Sequence, residues 1–141
     1  ETLTLFRSSG ELNGSHRVEG NYKKKKTLYR GNTNQFKEIF WNLIKNALKA
    51  MPKGGLLTID FKKEKRGGIQ TKFIDTGKGM SQEEKERLFE PFYSGFENGN
   101  GLGMAVVHRI VDEYNGKIQV LSEIYKGTEI TINFPGMDLR G

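Results

Sequence analysis

From Gln35 to Met51 apolar residues recur with the period of an α-helix. At about 100° per residue, Phe36, Ile39, Phe40, Leu43, Ile44, Ala47 and Met51 gather on one side, while Gln35, Glu38, Asn42, Lys45, Asn46 and Lys49 line the other. Asn32 or Thr33 can cap this helix, and Pro52 with the glycines after it stops it. The runs LLTIDFKKE and IQTKFID, rich in β-branched and aromatic residues and joined by KRGG, predict a hairpin. KIQVLSEIY and TEITINFP, joined at Lys126-Gly127, predict a second. HRVEGNY alternates and predicts a strand, after which the Lys23–Lys26 run turns the chain into a short apolar piece, TLYR. Ser81 and Glu84 form a capping box opening a short helix through Phe89, halted at Pro91. MAVVHRIVDEYNG predicts a helix ending at Asn115-Gly116. The opening TLTLFRSSGEL fits either a strand or one side of a short helix, and periodicity leaves both open.

Hairpins separated by helices predict an α/β fold: a two-layer sandwich whose mixed, largely antiparallel sheet carries about three helices on one face. The length of 141 residues suits a single domain over 1–141. No apolar run approaches the roughly 20 residues of a membrane span, so no direct membrane contact is expected of this domain. With no cysteine there are no disulfides or thiolate metal sites, which is compatible with a cytoplasmic setting. A net charge of +6 permits an anionic partner. The basic runs, Lys23–Lys26 and Lys62–Arg66, lack interleaved aromatics and are read as solvated charge, with no nucleic-acid partner expected.

The polar face of the long helix carries candidate chemistry. Asn competes for backbone hydrogen bonds, so two of them one turn apart at mid-helix cost stability that Gln or Lys would not. Asn42, Asn46 and Lys49 fall on one side of the wheel, where amide oxygens suit a hard cation and an ammonium suits phosphate; a solvated helix face is the alternative. The second strand of the first hairpin ends in Asp75-Thr76-Gly77-Lys78-Gly79-Met80, an acid followed by glycines that let backbone approach a ligand, and also ordinary turn chemistry. Tyr93 to Gly103 holds four glycines, predicts a mobile loop, and runs into a helix N-terminus, a generic phosphate seat. His16 is read as a surface residue, and His108 and Arg109 as structural.

In order and spacing, these pieces resemble the ATP-binding catalytic domain of sensor histidine kinases, most closely the nitrogen-regulation type, within the Bergerat-fold superfamily that also holds DNA gyrase. Asn42 to Ala47 resembles the N box, Asp75 to Met80 the first glycine box, Leu88 to Tyr93 the F box with Phe92, and Gly99 to Met104 the second glycine box with Gly101, Leu102 and Gly103. Gly127-Thr128 falls where the family often has a last glycine-threonine turn, and the resemblance covers roughly residues 30 to 135. It implies ATP and Mg²⁺ as cofactors. Asp75 would accept from the adenine amine; Asn46 would hold Mg²⁺ with Asn42 beside it; Lys49 would pair with the terminal phosphates. Gly77 and Gly79 would let backbone near the base, and Gly101 and Gly103 near the phosphates, under a lid from about Tyr93 to Asn100. It also implies that TLTLFRSSGEL is a helix.

Hydrolysing relatives carry a glutamate one turn before the magnesium asparagine. Asn42 stands there, and an amide cannot act as a general base, so the resemblance implies a protein-histidine kinase in two-component signalling. Glu38 lies a further turn away. The acceptor histidine would belong to a separate helical dimerisation domain, with a response regulator downstream. Neither His16 nor His108 has that context, so the chain is expected to be the catalytic part of a longer sensor kinase whose membrane anchoring is left open. Ser94, Gly95 and Phe96 follow Tyr93, where many members place a basic residue. A noncatalytic ATP-sensing or protein-interaction module that kept the fold is the alternative.

Overall fold

The computed structural model describes residues 16–21, by their backbone, together with 33–94 and 101–136. The expectations for TLTLFRSSGEL, for the lysine turn and TLYR, and for Gly99 fall outside these residues. In chain order the elements are β1 (His16–Asn21), α1 (Thr33–Lys49), β2 (Gly55–Lys63), β3 (Ile69–Asp75), α2 (Gln82–Arg87), α3 (Gly103–Glu113), β4 (Lys117–Glu123) and β5 (Gly127–Phe134).

Both expected hairpins form, β2 with β3 and β4 with β5, and β3 pairs antiparallel with β5 to join them. Strand β1 lies parallel to β2, giving one sheet in the order β1-β2-β3-β5-β4. The mixed, largely antiparallel sheet of the sequence reading is therefore the one observed. Strand β3 alternates strictly, with Ile69, Thr71, Phe73 and Asp75 buried and Gln70, Lys72 and Ile74 half-buried. The period of two places Asp75 in line with the core residues of its strand.

That core lies between the sheet and the helices α1 and α3. Ile39, Leu43 and Ile44 of α1 and Val107, Ile110 and Val111 of α3 pack with Leu57, Phe73 and Ile132 of the sheet, each at most 3% exposed. An aromatic cluster closes one end, with Phe36 stacked on Tyr114 and meeting Phe134 edge-on. Packing, more than propensity, therefore settles the orientation of α1, whose apolar stripe is the one expected and whose polar stripe is left facing outward.

Two helix boundaries differ from the sequence reading. Helix α1 ends at Lys49, two residues before Met51. The Ala50 N–H still donates to the Asn46 carbonyl, but the Met51 N–H turns to Leu48, tightening the last turn before Pro52. The short helix α2 ends at Arg87 rather than Phe89, and buries no residue. Its start is as expected: the Ser81 side chain accepts from the Glu84 N–H at 3.2 Å, and Glu84 accepts from the Ser81 N–H at 3.0 Å. Helix α3 ends at Glu113, capped by Tyr114, and Asn115 follows with φ 57°; the Gly116 N–H returns to the Val111 carbonyl and the Asn115 N–H to that of Asp112. This is the double C-terminal cap that the Asn-Gly pair predicts.

Candidate nucleotide site

A cavity of about 290 Å³ opens where the polar stripe of α1 faces the start of α3 and the loop after β3. Its wall takes Glu38, Asn42, Lys45, Asn46 and Lys49 from α1, Lys78 and Met80 from the loop, and Gly101, Leu102, Gly103 and Met104 from the start of α3. Asn42, Lys45, Asn46 and Lys49 follow one another at i, i+3, i+4 and i+7, so a single stripe of the helix faces the cavity. Tyr93 and Ser94 of the F-box segment complete the rim, with Glu84 and Leu88 of the α2 segment.

Local bonds fix how these groups point. The Asn42 Nδ2 donates to the Glu38 carbonyl one turn back at 2.9 Å, which leaves its Oδ1 as the outward atom. A Cβ on Gly103 would lie 2.7 Å from that Oδ1. Glycine at the first turn of α3 therefore lets the asparagine approach the helix N-terminus, where free N–H groups gather. The other end of the F-box loop is held by the Phe92 N–H donating to the Gly101 carbonyl at 3.0 Å, with Gly101 at φ 73° against the Phe92 backbone. Arg87 stacks over the Tyr93 ring at 4.2 Å and pairs with Glu90.

Asp75 is buried and is not on the cavity wall. Its Oδ1 accepts from the Gly77 N–H at 2.8 Å, and the Thr128 N–H also bonds to it. Burial raises its carboxyl above the ordinary carboxylate value, and the two N–H bonds oppose that shift without cancelling it. Gly77 and Gly79 likewise face protein: a Cβ on Gly77 would lie 2.6 Å from the Ala50 carbonyl oxygen, and one on Gly79 would overlap the Glu123 carbonyl. The structure accounts for these two glycines by close packing of the first glycine box against α1 and the β4–β5 hairpin. Gly127-Thr128 packs against the Asp75 backbone, so the last glycine turn and the first glycine box are one assembly.

Of the residues expected at a nucleotide site, the cavity brings together Asn42, Asn46, Lys49, Met80, Gly101, Leu102 and Gly103. Phe92 lies off this wall and is 79% exposed, with φ 67° and its N–H donating to the Gly101 carbonyl. Lys45 and Lys78 were not singled out as ligands from the sequence, yet both line the wall. The helical period could have shown Lys45; nothing in the local pattern marks Lys78. Glu38, a further turn before Asn42, also lines the wall.

The donor set fits magnesium, since the outward Asn42 Oδ1 and the Asn46 amide are neutral oxygen donors of the kind a hard cation accepts beside phosphate oxygens. Among the described residues no group of three or more His, Asp or Glu could hold a metal, and no helix is long and apolar enough to cross a membrane.

Residues 31–137 match the family described as histidine kinase-, DNA gyrase B- and HSP90-like ATPase. Sporulation kinase C of Bacillus subtilis (strain 168) is 38% identical over 119 residues, which is 84% of this chain and 28% of that protein. Sporulation kinase D of the same organism is 38% identical over 136 residues, 96% of this chain and 26% of the relative. The chain thus spans only 26–28% of the length of these two relatives. Among solved structures, the catalytic domain of histidine kinase ThkA superposes with a TM-score of 0.81 at 21% identity, covering 97% of this chain and 90% of that one. Full-length ShkA in complex with AMPPNP gives 0.79 at 24% identity, with 95% of this chain and 28% of that one covered. Both show a shared fold. The order of boxes, the cavity they build and the match over residues 31–137 agree: the chain belongs to the histidine kinase-, DNA gyrase B- and HSP90-like ATPase family.

Proposed function

We propose that residues 1–141 are the catalytic domain of a sensor histidine kinase, binding Mg·ATP and passing its γ-phosphoryl group to a histidine on a separate helical domain. The observation that carries this reading is Asn42. Its Nδ2 is held by the Glu38 carbonyl and its Oδ1 faces the start of α3, so the position offers an oriented acceptor and no base for activating water. A phosphotransferase needs positioning and charge neutralisation at that point, and the stripe supplies both.

In this reading the N–H groups at the start of α3 and the Lys49 ammonium hold the terminal phosphates, with Gly101 and Gly103 allowing close approach. Asn46, with Asn42 beside it, would hold Mg²⁺, which when bound supplies neutralisation of phosphoryl charge. The acceptor imidazole nitrogen bonds to the γ-phosphorus as the bond to the β–γ bridging oxygen breaks, and ADP leaves. At the base end, Asp75 accepts from the adenine amine. That requires the nucleotide to extend past this wall to Asp75 at the end of β3, which is 9% exposed. A response regulator would take the phosphoryl group onward, in the cytoplasm.

The test is phosphorylation of a supplied cognate histidine domain by this chain with Mg·ATP. Asn46→Ala is expected to lower transfer by roughly 10- to 100-fold or more while leaving the fold intact, since loss of even an outer partner of a metal site costs about that much. Normal transfer by that variant would remove the assignment, and ATP binding without transfer to any cognate domain would favour an ATP-sensing module.

A further inference from the structure

Both backbone groups of Lys78, which stands between Gly77 and Gly79, are engaged by other elements. Its N–H donates to the Ala50 carbonyl just beyond α1 at 2.9 Å, and its carbonyl accepts from the Tyr125 N–H in the β4–β5 turn at 2.8 Å. The glycines on either side remove the Cβ atoms that would hold α1 and the hairpin away. The peptide is thereby clamped from two sides, and Lys78 lines the same cavity as Lys45 and Lys49.

Three lysines, two from α1 and one from the loop after β3, line this cavity of about 290 Å³. The acids on the wall are Glu38 and Glu84, and the Glu84 carboxylate is already engaged by the Ser81 N–H at the first turn of α2. Like charges gathered in a small cavity repel, and an anion of high charge density placed among them reverses the sign of that energy. A polyphosphate has that density; an adenosine moiety does not.

We propose that Lys78, with Lys45, binds the polyphosphate chain and sets how strongly the site prefers a triphosphate to a diphosphate. The inference rests on the nucleotide-binding reading above and adds to it a contact carried by the side chain of the first glycine box. Because the clamp fixes the backbone, the charge at Lys78 can be removed without disturbing the turn.

The test is calorimetric titration of the wild-type chain, Lys78→Met, Lys78→Arg and Lys45→Met with Mg·ATP, Mg·ADP, adenosine and inorganic tripolyphosphate, at two salt concentrations. Lys78→Met is expected to weaken Mg·ATP roughly tenfold, as expected for losing a charge-assisted contact, to weaken Mg·ADP less, and to leave adenosine unchanged. Lys78→Arg should restore most of the loss. An equal loss for all ligands, or none, overturns the inference, the first because it marks a structural role. Adenine-selective binding untouched by Lys78→Met removes the inference alone. Tripolyphosphate binding that depends on Lys78, without preference for ATP over GTP, keeps it and removes the adenine assignment. A wild-type chain that binds none of the probes removes both.

Discussion

If Asp75 accepts from the adenine amine as proposed, replacing it with Asn changes one heavy atom and reverses what the site can read. An ionised carboxylate offers about four lone-pair positions, of which the Gly77 and Thr128 N–H groups take two. The remaining positions can accept from an exocyclic amine. In Asp75→Asn the single amide oxygen is consumed by those two N–H groups, so Nδ2, a donor, meets the adenine amine, also a donor. Losing a hydrogen bond to a charged group costs about 1.5–3 kcal/mol, or roughly 10- to 150-fold in affinity. Guanine presents a carbonyl acceptor at the equivalent position, so the variant should lose its preference for Mg·ATP over Mg·GTP as well as its affinity. Calorimetry with both nucleotides reads the two effects together.

Acidity supplies a second readout. Burial holds the folded carboxyl above its ordinary value, so across the window between the two the native state binds more protons than the unfolded chain. The contribution of Asp75 to stability is thus fully present below the ordinary carboxylate value and is lost as pH rises through the folded one. Nucleotide affinity runs the other way, since the acceptor is the ionised form: it falls as pH drops through the folded value. Wild type should show these opposed slopes in urea titrations and in calorimetry, and Asp75→Asn neither. If the variant binds Mg·ATP within about twofold of wild type and still rejects Mg·GTP, Asp75 does not read the base.

Gly79→Ala places a Cβ into the Glu123 carbonyl at φ 69°, and is expected to destabilise by about 2–4 kcal/mol from backbone strain and steric conflict, read by urea unfolding. A change below about 0.5 kcal/mol would mean that the hairpin moves away freely. Ile110→Ala empties a fully buried position of α3 and should cost about 2–5 kcal/mol by the same method, with a much smaller loss showing that the α1–α3 seam collapses around the gap. Ser81→Ala removes a capping acceptor from α2 and should cost about 0.5–2 kcal/mol, with faster amide exchange confined to Gln82–Arg87.

The parts of the site legible in the sequence are those that local periodicity controls. A 3.6-residue repeat puts Asn42, Asn46 and Lys49 on one stripe wherever the helix is placed, and burying Phe36, Ile39 and Leu43 leaves that stripe outside. Turn and cap chemistry is equally local, so Ser81-Glu84 and Asn115-Gly116 marked their helix ends. Lys78 and Gly79 were opaque for the opposite reason. What holds them is a carbonyl of Ala50 and the backbone of Glu123 and Tyr125, elements far away in the chain that only the sheet order brings close. Phe92 shows the same limit, since one hydrogen bond from its N–H to the Gly101 carbonyl fixes how its backbone turns. The pairing of β1 beside β2 also needs the closed sheet, because an alternating strand does not name its neighbour.

The bond from Phe92 to Gly101 has a meaning for how such domains diversify and can be engineered. It fixes the two ends of the intervening segment to each other, so the scaffold does not depend on what the segment contains. Closing a loop of twice the length costs only about 0.6 kcal/mol more. Segments of different length and charge can therefore be exchanged between Phe92 and Gly101 as cassettes while Asn42, Asn46 and the start of α3 keep their places.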